Sequence, residues 1–181
     1  MRQVTMVLLA AGLLAGAFGC APTAVVRVNC GAEKEYVDAE GVTWQADRAL
    51  SSDAPWGAKD GMMVERVSMK IPDTTRPTLY VFERYGMAGY EFAVDNGAYD
   101  VRLHFAETFN EHTAAGKRLF SVKINGQEKL KDLDVFKEAG GLGKPLVKEC
   151  KGIAVTDGKL KIEFVKNVQN PEINAIEILK Y

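Results

Sequence analysis

Between Tyr99 and Phe105 apolar and polar residues alternate without a break: Val101, Leu103 and Phe105 face one way, Asp100, Arg102 and His104 the other. A period of two suits a half-buried strand and spoils an amphipathic helix, whose apolar residues recur about every 3.6 positions. The pattern returns along the chain. Phe120, Val122 and Ile124 alternate with Ser121 and Lys123 and run into Asn125-Gly126, a dipeptide that favours a tight hairpin turn. Leu160, Ile162 and Phe164 alternate with Lys161 and Glu163 after a second turn signal of the same kind, Asp157-Gly158. A last strand, Ile173 to Leu179, follows the break at Asn170-Pro171. Further strands are predicted at Val25 to Asn29, Val42 to Gln45, Val64 to Ile71, Leu79 to Phe82 and Tyr90 to Val94. Only Asp134 to Ala139, before Gly140-Gly141, suits a helical turn. About nine or ten short strands with turns between them predict an all-β fold, a two-sheet antiparallel β-sandwich of the jelly-roll kind.

The first residues obey a different rule. After Arg2 an apolar stretch from Val4 to Phe18 ends at Gly19-Cys20, which is the layout of an export signal and is too short to span a bilayer comfortably. Ala17-Phe18-Gly19-Cys20 resembles a bacterial lipobox. Residues 1–19 are therefore expected to be a signal peptide, with Cys20 the lipidated mature N-terminus, and residues 24–181 the folded domain. The expected location is the bacterial cell envelope, on a membrane through the Cys20 lipid, or otherwise the periplasm or medium. Cys30 and Cys150 remain after the anchor is set aside. In an oxidising compartment they can form a disulfide, and two free buried thiols fit the sequence equally well.

Charge and motif content exclude several classes of function. Lys and Arg number 23 against 24 Asp and Glu, dispersed along 181 residues, so the one-signed field that tracks a nucleic-acid backbone is missing. No Gly-x-Ser-x-Gly, Gly-x-Gly-x-x-Gly, Walker or His-Glu-x-x-His motif occurs. Gly140-Gly141-Leu142-Gly143-Lys144 lacks the Walker spacing and the following Ser or Thr, and is read as a turn. With two histidines, no Cys-x-x-Cys and an acid spacing at Glu128, Asp132 and Asp134 unlike a calcium loop, no metal and no cofactor is expected. Glu107 is read as a strand-terminal acid bonded to loop backbone or to Arg84. His104 is read as a solvated strand residue, and His112 as part of a polar loop.

Aromatic rings at turns carry more information. Trp56 in Ala54-Pro55-Trp56-Gly57, Tyr85 in Glu83-Arg84-Tyr85-Gly86 and Phe109 just beyond a strand stand where loops are predicted. An exposed ring offers a flat apolar face to the C–H face of a sugar, while Asn, Asp, Gln or Arg meets its hydroxyls.

Several stretches resemble, in order, the malectin and malectin-like domains. They include Arg27-Val28-Asn29-Cys30-Gly31, Glu83-Arg84-Tyr85, the Tyr99 to Glu107 strand with its Phe-Ala-Glu end, and Gly116 to Val122. Asp132-Leu133-Asp134-Val135-Phe136 and Glu138 to Pro145 continue the series, and the resemblance spans about Val25 to Leu179. It implies a jelly-roll carbohydrate-binding module without catalysis of its own, in which loop aromatics and one acid hold an α-linked glucose disaccharide. Carried over residue by residue, the aromatic-Gly position is Trp56 with Gly57, and the tyrosine of Glu-Arg-Tyr is Tyr85. The paired aromatics after Phe-Ala-Glu are Thr108 and Phe109, and the acid before Asn-Pro is Gln169. The expected mechanism is stacking by Trp56, Tyr85 and Phe109 with hydrogen bonds from Thr108 and Gln169. A peptide- or protein-binding envelope module using the same loops is the alternative, and a glycoside hydrolase with two facing carboxylates the more distant one.

Overall fold

The computed structural model describes residues 23–181. The expected signal peptide and the lipid site at Cys20 lie outside the described residues. Twelve strands and two short helices follow in the order β1 (Thr23–Asn29), β2 (Tyr36–Val37), β3 (Thr43–Ala46), β4 (Trp56–Glu65), α1 (Thr78–Val81), β5 (Phe82–Ala93) and β6 (Gly97–Phe105). The second half adds β7 (Leu119–Ile124), β8 (Gln127–Leu133), α2 (Val135–Ala139), β9 (Leu146–Val155), β10 (Lys159–Val168), β11 (Glu172–Ile173) and β12 (Ala175–Lys180).

These strands form two packed sheets. One runs β2-β3-β1-β12-β6-β9; the other runs β11-β5-β10-β7-β8, with β4 added along β5. Pairing is antiparallel apart from the β1–β3 contact and an isolated bridge, so the chain is a β-sandwich as the alternation predicts. Val101, Leu103 and Phe105 of β6 meet Phe120, Val122 and Ile162 of the other sheet in one core. Asn125 and Gly126 take φ of 48° and 76°, the left-handed pair required by the tight β7–β8 hairpin. Asp157-Gly158 does something else: β9 pairs with β6 while β10 pairs with β5 and β7, so this turn carries the chain from one sheet to the other.

Two predicted strands are corrected. Val64 to Ile71 yields only the end of β4, and Leu79 to Phe82 yields α1 followed by the start of β5. Leu79 and Tyr80 pack with Trp44, Ala106 and Ala175 in a second, smaller apolar cluster that covers the outer face of the first sheet. That cover also corrects His104. Its ring is buried, with Tyr80 Oη 3.0 Å from Nδ1, Glu177 Oε1 3.1 Å from Nε2 and the Trp44 ring edge-on at 5.5 Å. Burial alone would raise the Glu177 carboxyl, yet the hydrogen bonds from His104 and Arg27 prevail and bring its pKa down to about 2.

Cys30 and Cys150 are separate, buried thiols, and the sheet register explains why. Cys150 pairs with Val101, Val101 with Ile178 and Ile178 with Val26, so three strand spacings, about 14 Å, separate the lines on which the two cysteines lie. A disulfide requires Cα atoms within about 7 Å. Burial pushes the Cys30 thiol up, and the Asp47 carboxylate nearby adds to this.

Candidate functional site

β5 positions the site. It is the longest strand, held along one side by β4 and along the other by β11 and then β10. At its first end, alternation sends Glu83 and Tyr85 to the same face, opposite Val64 and Met62. Gly86 N–H donates to Pro171 O at 2.8 Å, drawing the Gln169-Asn170 turn beside Tyr85. Gln169 itself takes φ 60°, a left-handed turn conformation. Phe109 arrives from the end of β6. Tyr85, Phe109 and Gln169 therefore line one hollow of about 290 Å³, together with Val64, Arg66 and Glu83. Both rings are half-buried and Gln169 is exposed.

Beneath the hollow lies a layer of ionic hydrogen bonds. Glu83, with no exposed surface, accepts Arg66 Nη2 at 2.9 Å on one oxygen and the Thr108 hydroxyl on the other. Glu107 accepts the Phe109 backbone N–H at 3.0 Å and pairs with Arg118 at 2.9 Å. His112 Nδ1 stands 3.2 Å from both Glu107 Oε2 and Arg118 Nε, and the His112 ring meets the Phe109 ring edge-on at 4.9 Å. The Arg66 guanidinium lies 5.5 Å from the centroid of the Phe109 ring. Phe109 is thus held by its backbone, by a histidine and by an arginine before any ligand arrives. Glu172 is fully buried, and neither of its carboxyl oxygens has a hydrogen-bond partner in the protein. Burial drives its pKa well above the usual carboxylate range.

Of the five expected contact residues, the structure brings three together. Trp56 is a correction: 3% exposed, it opens β4, stacks on Phe92 at 5.9 Å and lies 4.1 Å beneath the Arg48 guanidinium. It pairs with Phe92 whereas Tyr85 pairs with Met62, so seven residues of β5, roughly 23 Å, separate it from the hollow. Its neighbour misled the reading. A Cβ at Gly57 would come within 2.5 Å of Leu50 Cα, so this glycine permits a close backbone approach rather than a turn. Thr108 is also corrected, because it is 2% exposed and its hydroxyl is committed to Glu83. Glu107 pairs with Arg118 and His112 rather than Arg84, whose Nε donates to Asp47 at 2.7 Å. Sequence reasoning passed over Arg66, Glu83 and Arg118. Glu83 was within reach, since a period of two places it on the face of Tyr85.

A two-sheet sandwich with a loop-rimmed hollow over a rigid polar floor is the build of a lectin-like recognition module. Residues 24–176 match the family model "Malectin domain", and the chain belongs to that family. Malectin of Mus musculus is 31% identical over 189 residues, covering 93% of this chain and 61% of its own length. A probable leucine-rich repeat receptor-like serine/threonine-protein kinase of Arabidopsis thaliana is 29% identical over 73% of this chain, which spans only 14% of that protein. Among solved structures, a Bacteroides uniformis beta-glucuronidase superposes with a TM-score of 0.78 at 24% identity, covering 86% of this chain and 18% of the enzyme. The plant receptor-like kinase FER superposes at 0.71 with 22% identity, over 87% of this chain and 49% of the other.

Proposed function

We propose that the hollow bounded by Tyr85, Phe109 and Gln169 binds one or two sugar rings, without catalysis, and that the preferred ligand is an α-linked glucose oligosaccharide. The observation that carries this reading is the convergence of two half-exposed rings and one exposed amide on a floor where Glu83 and Glu107 are already paired with arginines. The rings stack on C–H faces and Gln169 bonds hydroxyls, while Glu83, Thr108, Glu107 and Arg118 keep the rings in place. Such preset rings lose little freedom on binding, but water competes for every hydroxyl, so affinity is expected on the order of 0.01–1 mM. Carboxylates at the floor do not suit hydrolysis: Glu83 and Glu107 are each tied to an arginine, and Glu172 is fully buried. In this reading the leader exports the chain and the lipid on Cys20 holds the hollow near a membrane. A glycan array probed with the protein, repeated with Tyr85→Ala, tests the reading. Retention of α-glucosides lost in the variant with a cooperative melt supports it, and equal retention by both removes Tyr85 from the site.

A second reading places a protein partner in the same loops. A structure of the plant peptide RALF23 in complex with FER and LLG2 matches this fold at 21% identity. Pull-down of one protein that excess sugar does not displace would favour it.

A further inference from the structure

A second hollow, of about 520 Å³, opens on the other side of the same β4–β5 ribbon. Arg66, Glu83 and Tyr85 line the first hollow; Met63, Glu65 and Phe82, one position out of phase, line the second, and Val64 borders both. Its floor includes Asn29 at the end of β1. Val28 points into the main core, so Asn29 points outward, where it is 1% exposed and yet neither Oδ1 nor Nδ2 forms a hydrogen bond within the protein. A buried amide left in this state is destabilising, and a partner from outside that bonds it recovers the loss. The rim carries Glu33, Lys34 and Glu35 from the turn after β1, with Glu65 from β4. Among the described residues these four form no ion pair, in contrast to the charges under the first hollow. Tyr36 and Phe82 provide apolar walls. Beside the hollow, Met62 to Glu65 form the open edge of β4, which pairs only with β5 apart from a bridge at Ala58. Met62 and Met63 stand exposed there.

We propose that this hollow is a second binding site, for an extended peptide that pairs with the β4 edge and inserts an arginine side chain. The Glu33, Glu35 and Glu65 carboxylates at the mouth attract the guanidinium, which passes between them to the floor while the aliphatic stem lies along Tyr36 and Phe82. Asn29 Oδ1 accepts one guanidinium N–H, and Nδ2 donates to a carbonyl of the same peptide. Edge pairing supplies affinity through backbone hydrogen bonds, and the period of two delivers every second side chain to the hollow. A neutral sugar is the poorer fit, because it would strip water from three unpaired carboxylates and neutralise none of them.

The test is an NMR titration of the full chain with acetyl-Thr-Arg-Thr-Arg-Thr-amide and with its citrulline counterpart, which keeps the shape and loses the charge. The arginine peptide is expected to move the Asn29 side-chain amide and the Glu33 to Tyr36 backbone signals, leaving Tyr85 and Gln169 in place. The citrulline peptide should bind about tenfold more weakly, and Glu33→Gln with Glu35→Gln should weaken the arginine peptide similarly. Both glutamates are exposed, so the fold is not at risk in that variant. An unmoved Asn29 signal, equal binding of the two peptides, or movement of Asn29 by a glucose oligosaccharide instead would overturn the proposal. None of these outcomes depends on the first hollow binding sugar.

Discussion

The two faces of the β4–β5 ribbon carry opposite solutions to the same problem. On one face the carboxylates that hold the rings are paired within the protein: Glu83 holds Arg66 and Thr108, and Glu107 holds Arg118 and the Phe109 backbone, although Arg66 Nε, Arg118 Nη1 and the buried Glu172 carboxyl keep unpartnered atoms. On the other face a buried amide, Asn29, has no partner and the carboxylates above it are unpaired. One residue of register decides which side chains go where. A layer whose ring-holding carboxylates are paired internally suits a shallow, neutral ligand. An unsatisfied one is primed for a ligand that brings its own charge and donors.

Stability measurements sharpen this contrast first, because they carry the largest expected effect. Glu83→Ala leaves a part-buried arginine and a buried hydroxyl without their acceptor and is expected to cost about 2–4 kcal/mol in urea unfolding. Asn29→Leu, across the ribbon, replaces an unsatisfied amide by an apolar side chain of similar size and is expected to change stability by less than about 1 kcal/mol, or to increase it. Comparable losses in the two variants would erase the distinction.

Ligand binding separates the two ends of β5. Tyr85→Ala is expected to lower affinity for an α-glucoside by at least about tenfold while the thermal transition remains cooperative. Trp56→Phe should leave that affinity unchanged and lower the melting temperature, since Trp56 packs in the core.

Acid–base titration of stability distinguishes the floor of the hollow from the opposite sheet. Burial raises the Glu172 pKa in the folded state above its unfolded value, so its contribution falls as pH rises above the ordinary carboxylate value of 4.5, by at most about 1.4 kcal/mol per pH unit. Glu172→Gln removes this decline and should make the protein more stable than the parent at neutral pH. Glu177 is the reverse case. Its folded pKa is lowered to about 2, so its contribution is present above 4.5 and disappears as pH falls through that interval. Urea midpoints of the parent, Glu172→Gln and Glu177→Gln from pH 2 to 8 measure both slopes.

The smallest change concerns Gln169. Replacing the neutral amide by a carboxylate in Gln169→Asp is expected to strengthen sugar binding by about 1 kcal/mol, read by calorimetry at low and high salt.

How legible the molecule was depended on burial. β6, β7 and β10 send apolar residues to the core and polar ones to the other face, so their alternation was plain and their inward residues were read in the correct phase, even though the polar face of β6 is buried as well. β8 escaped notice because it is largely exposed and only Leu133 is buried, leaving no apolar rhythm. β9 is interrupted by Lys148, Lys151 and Gly152. Leu79 and Tyr80 looked like strand residues because they are apolar, but they cover the outside of a sheet, a role that period alone does not reveal. At the site, Tyr85, Phe109 and Gln169 were found because rings and amides at turns are conspicuous. Trp56 was misplaced because Pro55 and Gly57 imitate a turn. Arg66 and Arg118 were missed because ion pairs between distant segments leave no local pattern; Glu83 and Arg66 become neighbours only through the β4–β5 register.

The most direct test of the sugar-binding hollow is an NMR titration of the protein with an α-linked glucose disaccharide, following ring signals of Tyr85, Phe109 and Trp56 and the side-chain amides of Gln169 and Asn29. Joint saturable shifts at Tyr85, Phe109 and Gln169, with Trp56 and Asn29 unmoved, are the predicted result. Shifts centred on Trp56, or three silent hollow residues at millimolar sugar while other signals respond, would contradict it.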